Sequence, residues 1–506
     1  MRKIVVMSVA GLGVWMGAAN AQFGRGAADW VTNGGDAQRS FWIRTDAKIS
    51  KDSLEKPGFQ FLWKVKFAGA LAAPVMLDRY IGYRGFRSLG FMGSGSNGVY
   101  AVDIDLGRIE WQKQLSPEVP RQSGSTGCAE AFIADVTRPA TAEIPSASAG
   151  PQGIGGRGGA ARGAVGEPGE GAVTLASALA PPGPNPTRPP RPVPAGFRPG
   201  IRPAIVLHTL SSDGMLHTMY VSNGEEPAPP LRFLPPNTAS QGLIVIDNVA
   251  YAAIGQACGA ASGVWALDLA TKQVASWTES GVAGAAGAAM GPDATLYVAT
   301  AAGTSNYSAS VVALESKTLV PKDWYTAKQA FTSSPVVFQY KNKLLLAAAT
   351  EDGSLHLLDT ASLGGTDHQT PVYSTQAFTG AGDFVPGALA SWQDRAGTRW
   401  LLARASGSIV AWKVADQNGA PALQPGWVSR GLVSPAAPLI VNGVVFALST
   451  GGASILHALD AATGKELWNS ADAIGSSVRG LSAGGGQVYV TTEDGNVYAF
   501  GFWMER

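Results

Sequence analysis

The sequence has almost no cysteine. Its two residues, Cys128 and Cys258, are too few for a disulfide framework, and no Cys-x-x-Cys-His is present to attach haem to this chain. Charge is sparse too: charged residues are 15% of the total and the formal net charge is +1, so no global field argues for nucleic acid or an anionic membrane as partner. Histidine numbers five, and no zinc spacing, phosphate loop or Ser-His-Asp signature is visible. The apolar stretch Ile4 to Met16 falls short of the roughly 20 residues that cross a bilayer.

What that stretch does fit is a secretory signal. Arg2 and Lys3 precede it and Ala19-Asn20-Ala21 follows it, the pattern of a peptide removed after Ala21. Gln22 stands where a lipoprotein needs cysteine. The mature chain is therefore expected to be unlipidated, without a transmembrane anchor, and periplasmic or secreted.

The rest of the chain repeats. In Ile455 to Trp468 an apolar strand runs to Leu459, Asp460 to Gly464 form a turn, and Lys465 to Trp468 return. Asp suits the first turn position because its carboxylate accepts backbone N–H groups, and Gly464 can take positive φ. Copies aligned on the middle of the first strand fall at Ala101, Thr218, Ala266, Ala313, Leu357, Ala411, Ala458 and Ala499. Aligned on the returning aromatic, they fall at Trp63, Trp111, Phe233, Trp277, Trp324, Tyr373, Trp427 and Trp468. Both counts give eight, at a step that suits four short strands per unit.

The two lists are offset, because an aromatic strand around Trp63 precedes the first hairpin and the strand around Tyr498 has none after it. A closed ring requires that offset, since its last sheet is completed by the first strand of the chain. The expected fold is all-β: an eight-bladed propeller of four-stranded antiparallel blades, closed by pairing Phe61 to Phe67 with Asn496 to Phe500. Length alone would suggest several domains, and the repeat count favours one ring. Residues 1–21 are the signal, 22–60 an N-terminal lead-in and 61–506 the propeller.

Repeats such as GVYAVDIDLGRIEW (98–111), GVWALDLATKQVASW (263–277) and ILHALDAATGKELW (455–468) resemble the pyrroloquinoline-quinone (PQQ) repeat, with its Tyr-Ala-Leu-Asp, Thr-Gly and Trp positions. DWVTNGGDAQRSFW (29–42) is similar to the opening of quinoprotein and PQQ-like propellers. The resemblance spans Asp29 to Phe502. It implies the fold, and it leaves function open, because dehydrogenases and non-enzymatic propellers share the repeat.

Residues 138–202 are a different material, rich in Pro, Gly and Ala, with seven Arg, three Glu and no Lys. Such a tract buries too little apolar surface to offset its ordering entropy. It is expected to be a disordered insert between two strands of the second blade, either a tolerated surface insertion or a polyproline arm for docking.

The candidate site residues compete with structural explanations. His217, His356 and His457 share the slot that holds Tyr100, Trp265 and Tyr498, which favours packing between sheets over metal ligation. Asp103, Asp268, Asp359 and Asp460, and the turn pairs Asp213-Gly214, Asp352-Gly353 and Asp494-Gly495, recur as turn formers. Cys128 and Cys258 belong to adjacent blades and open on one face, so a disulfide and two lone thiols both stand.

Quinoprotein dehydrogenases use a vicinal Cys-Cys pair, a stacking Trp, Ca²⁺ ligands and an Asp base. The vicinal pair is absent here. What the resemblance leaves as candidates for PQQ and Ca²⁺ are Glu130, Asp383 and Arg479, in segments entering innermost strands: hard oxygens for the ion and a guanidinium for the tricarboxylate. Two functions follow, a periplasmic binding or protein-interaction scaffold and a PQQ-dependent alcohol or sugar dehydrogenase. The ring's axial face is where a protein partner or small molecule would sit.

Overall fold

The structure is a computed structural model that describes residues 29–82, 85–94, 97–115, 134–137, 205–255, 261–376, 387–405, 407–429 and 431–503. The predicted insert 138–202 and the signal 1–21 lie outside them.

The organising hairpin forms as its residues dictate. Ile455–Asp460 pairs antiparallel with Glu466–Asn469, Ala458 opposite Trp468. Asp460 Oδ1 accepts the Ala462 N–H, and Gly464 sits at φ +73. In the equivalent turns Asp103 accepts from Asp105 and Leu106, Asp268 from Ala270 and Thr271, and Asp359 from Ala361. These carboxylates shape turns, as their recurrence implied.

Eight sheets result, each an antiparallel meander. Blade 1 runs from Val75–Gly82 at the axis to Arg108–Gln114 outside. Blade 2 pairs Ala134–Thr137, its innermost strand, with Val206–Leu210, its second. Blade 8 is built from both ends: Phe59–Lys66 is the outer strand on Asn496–Phe502, with Phe61 opposite Phe500, Trp63 opposite Ala499 and Lys66 opposite Asn496. The innermost strands of blades 8 and 1 are neighbours, which closes the ring. Strand alternation puts the turns from first to second and third to fourth strand on one end, here the hairpin end. The turns from second to third strand and the links between blades lie on the other, the link end.

The repeated aromatics hold blade to blade, and several do so by one device. Trp63 of blade 8 donates Nε1–H to Ile104 O of blade 1 and lies over Gly107. Trp111 of blade 1 does the same to Val221 O and Gly224 of blade 2, and Trp427 of blade 6 to Ala461 O and Gly464 of blade 7. Glycine is required because a Cβ at any of the three would enter the indole. Trp277 departs from this device: it packs against Tyr307 at 5.8 Å, and its buried Nε1 has no acceptor.

The slots of the returning aromatic are not all interior. Trp277, Trp427 and Phe233 are buried, whereas Trp63, Trp111, Trp324, Tyr373 and Trp468 keep a partly exposed edge. The reason is position: the slot lies on the outermost strand, where the neighbouring blade covers only one side. Trp468 packs edge-on to Phe59 at 4.8 Å and lies near Phe500 at 5.8 Å, across the closing seam.

Candidate functional site

Residues 29–43 of the lead-in occupy the middle of the ring. Trp30 bridges Met76 on the innermost strand of blade 1. Gly34 and Gly35 turn the chain at positive φ. It then circles the axis, giving a backbone bond to one blade after another: Met290 N–H to Ala37 O (blade 4, 2.8 Å), Val337 to Gln38 (blade 5, 3.0 Å), Ser391 to Ser40 (blade 6, 2.9 Å) and Ile440 to Phe41 (blade 7, 2.8 Å). Trp42–Ile43 ends it as a fifth, parallel strand on blade 7.

Blade 3 is tied by side chains. Thr32 Oγ1 donates to Leu243 O. Arg39, 1% exposed, donates Nε to Ala288 O (2.8 Å), Nη2 to Gly242 O (2.6 Å), and Nη1 to Thr32 Oγ1 (3.2 Å) and Asn33 O. A buried guanidinium is tolerable only when its donors are satisfied, and here carbonyls of three segments do so. Trp30, Phe41 and Ile43 share an apolar cluster with Leu439, Ile440 and Val441 of blade 7. The axis is thus packed like a core.

This geometry bears on the cofactor that the resemblance implied. A tricarboxylate quinone at the axis needs a cation facing it, and Arg39 has its donors committed to carbonyls. Gly242 has no room even for a Cβ, which would come within 2.6 Å of Arg39 Nη2. Among the described residues no three His, Cys, Asp or Glu side chains are grouped to hold a metal. The part of the axis around Arg39 therefore does not fit PQQ with Ca²⁺. Of the sequence candidates, Glu130, Asp383, Cys128 and Cys258 lie outside the described residues, and Arg479 is exposed on the innermost strand of blade 8, Val478–Gly484.

The histidine slot holds something that sequence inspection missed. His217 Nε2 meets Ser211 Oγ at 3.0 Å while Nδ1 meets Glu226 Oε1 at 3.3 Å. His457 repeats it with Ser449 at 3.2 Å and Glu466 at 2.6 Å. In His356 the partners are Thr350 at 3.3 Å and the Tyr325 hydroxyl of blade 4 at 2.9 Å. Ser-His-Glu is a nucleophile's geometry, but three blades carry versions of it and Ser211, Ser449 and Thr350 are all buried. It is a pin between strands. The pattern Ser/Thr-x-Asp-Gly-x-x-His at 211–217 and 350–356 was the signal, and blade 8 carries it as Thr492-x-Asp494-Gly495-x-x-Tyr498. There the Thr492 hydroxyl, with Ser476 and Asn496, holds the Asp494 carboxyl well below the usual range.

Residues 264–501 match the family model described as outer membrane protein assembly factor BamB. Among solved structures, the quinohemoprotein alcohol dehydrogenase from Comamonas testosteroni is 15% identical with a TM-score of 0.57, over 96% of this chain and 82% of that one. The europium-containing methanol dehydrogenase is 12% identical with a TM-score of 0.55, over 94% and 98%. The computationally designed Ika8 protein is 13% identical with a TM-score of 0.50, over 88% and 100%. No curated protein matches the chain in sequence. At these identities the likeness to solved structures is one of fold, shared by enzymes and a designed protein alike. The repeats, the eight four-stranded blades and the family match over 264–501 make the chain an eight-bladed β-propeller built of PQQ-like repeats.

Proposed function

We propose that this propeller is an exported binding or protein-interaction scaffold of the periplasm. The observation that carries the reading is the filled axis: Asp29 to Ile43 and the satisfied Arg39 occupy the centre of the ring, leaving its two ends and rim as the surfaces for recognition. The family match described as an outer membrane assembly factor points the same way, and the signal-like start of the sequence supports export. Among the described residues no helix is long and apolar enough to cross a membrane.

The second reading is a PQQ-dependent alcohol or sugar dehydrogenase, favoured by the likeness to quinoprotein dehydrogenases over nearly the whole chain. One experiment separates the two. The purified protein is incubated with PQQ and Ca²⁺, desalted, and examined for quinone absorbance and dye-linked oxidation of alcohols and sugars. The scaffold reading expects no retained quinone and no turnover. Stoichiometric quinone with turnover would establish the enzyme instead.

A further inference from the structure

Where the lead-in leaves the axis at the hairpin end, the structure places a cation that nothing balances. Arg399 opens the second strand of blade 6, Arg399–Ala405, and is 7% exposed. Its guanidinium carbon lies 5.6 Å from the Trp42 ring centroid and 5.7 Å from that of Phe338. Its Nε is buried without a hydrogen-bond partner. Nη2 reaches Gln393 Oε1 only at 3.4 Å.

The charge that acts on it is of the same sign. Arg44 is exposed, and its guanidinium carbon lies 5.3 Å from the same Trp42 ring. Burial, and then Arg44, bring the Arg399 pKa down to about 10, which leaves it charged at neutral pH. The local carboxylates are engaged elsewhere: Asp394 accepts from Thr398 N and Trp400 Nε1, and Asp416 from Lys341 and Tyr340. Two aromatic faces recover part of the cost of desolvating a cation. They do not supply the anion and hydrogen bonds that a buried charge ordinarily has.

We propose that Arg399, Arg44, Trp42, Phe338 and Gln393 form a binding site for a carboxylate. A guanidinium fork matches a carboxylate with two parallel N–H···O bonds. Arg44 and Gln393, both exposed, give the anion its way in from solvent. The proposal does not rest on whether the protein is a scaffold or an enzyme.

A free organic acid and the C-terminal carboxylate of a protein present the same chemistry, so the test carries both. The full-length protein is titrated calorimetrically, at constant ionic strength, with sodium benzoate and with a tetrapeptide bearing a free or an amidated C-terminus. Heat from benzoate alone assigns a free acid, and heat from the free-ended peptide but not its amide assigns a chain terminus. In either case Arg399→Gln should abolish binding, and Arg44→Gln, at an exposed position that leaves the fold intact, should weaken it about tenfold, the loss of one charge-assisted contact. The proposal is overturned if neither ligand gives heat at millimolar concentration, or if Arg44→Gln binds as the unaltered protein does.

Discussion

Gly464 shows how a single residue joins two blades. It sits at φ +73 with the Trp427 indole where a Cβ would be, so Gly464→Ala meets both backbone strain and a clash, together about 2 to 4 kcal/mol. Gly419, at φ +82 with nothing within 4 Å of a Cβ, provides the control: Gly419→Ala should cost only the backbone term, about 1 kcal/mol. Equal costs by urea melt would mean that the indole is not docked. The repeat made the glycine and the tryptophan legible, but not their pairing. A contact between sheets leaves no fixed spacing, and the partner of Trp427 lies in the next repeat.

Buried histidines set the acid sensitivity at the same scale. Burial lowers the pKa of His208 and of His356 from 6.5 to about 4. Between those values the unfolded chain takes up protons that the folded chain refuses, so stability is full above pH 6.5 and is lost as pH falls toward 4. Each histidine contributes on the order of 3 kcal/mol to that loss. Unfolding free energies measured at pH 7, 6 and 5 should therefore decline, and His356→Gln should flatten the decline. A slope unchanged by that substitution would show that His356 charges freely in the folded state.

Among the elements, the lead-in matters most and was the least legible. Its sequence reads as an approach to the ring, because the groups it bonds are supplied by strands far along the chain: Arg39 meets Gly242 and Ala288. Only the Gly34-Gly35 turn and the Trp30 and Phe41 pair hinted at packing. Arg39→Met strands the carbonyls it serves, and about 3 to 5 kcal/mol is the expected cost of breaking such a buried set. Asn33→Ala removes a 3.3 Å bond to Ala285 O at an exposed position and should stay within about 0.5 kcal/mol. Comparable melting of the two variants would show that the lead-in is not part of the core.

At the scale of the whole molecule, closure was legible because Phe61 to Phe67 and Asn496 to Phe500 were each orphans in the repeat count, and an unpaired strand is an open edge. The register bears this out. Truncation after Glu493 removes the strand that carries Phe59–Lys66, and should lower the melting temperature by more than about 10 °C or abolish the cooperative transition. An unchanged sharp melt would mean an open array. Specific chemistry is less legible, since Glu130 and Asp383 follow only from the resemblance and a place before innermost strands, and Cys128 and Cys258 only from their place in adjacent repeats. The carboxylate site depends on Trp42, Phe338 and Arg399, which only the ring brings together.

Asp29 to Ile43 is the core of the ring rather than a removable occupant of a cofactor chamber. Hydrogen exchange followed by mass spectrometry over residues 29–43 tests it most directly. The packed and bonded amides of Trp30 and Phe41 should exchange only through global unfolding, at rates that PQQ and Ca²⁺ leave unchanged. Exchange as fast as an exposed loop, or protection that changes when PQQ and Ca²⁺ are added, would mean that the segment is a removable occupant of the ring.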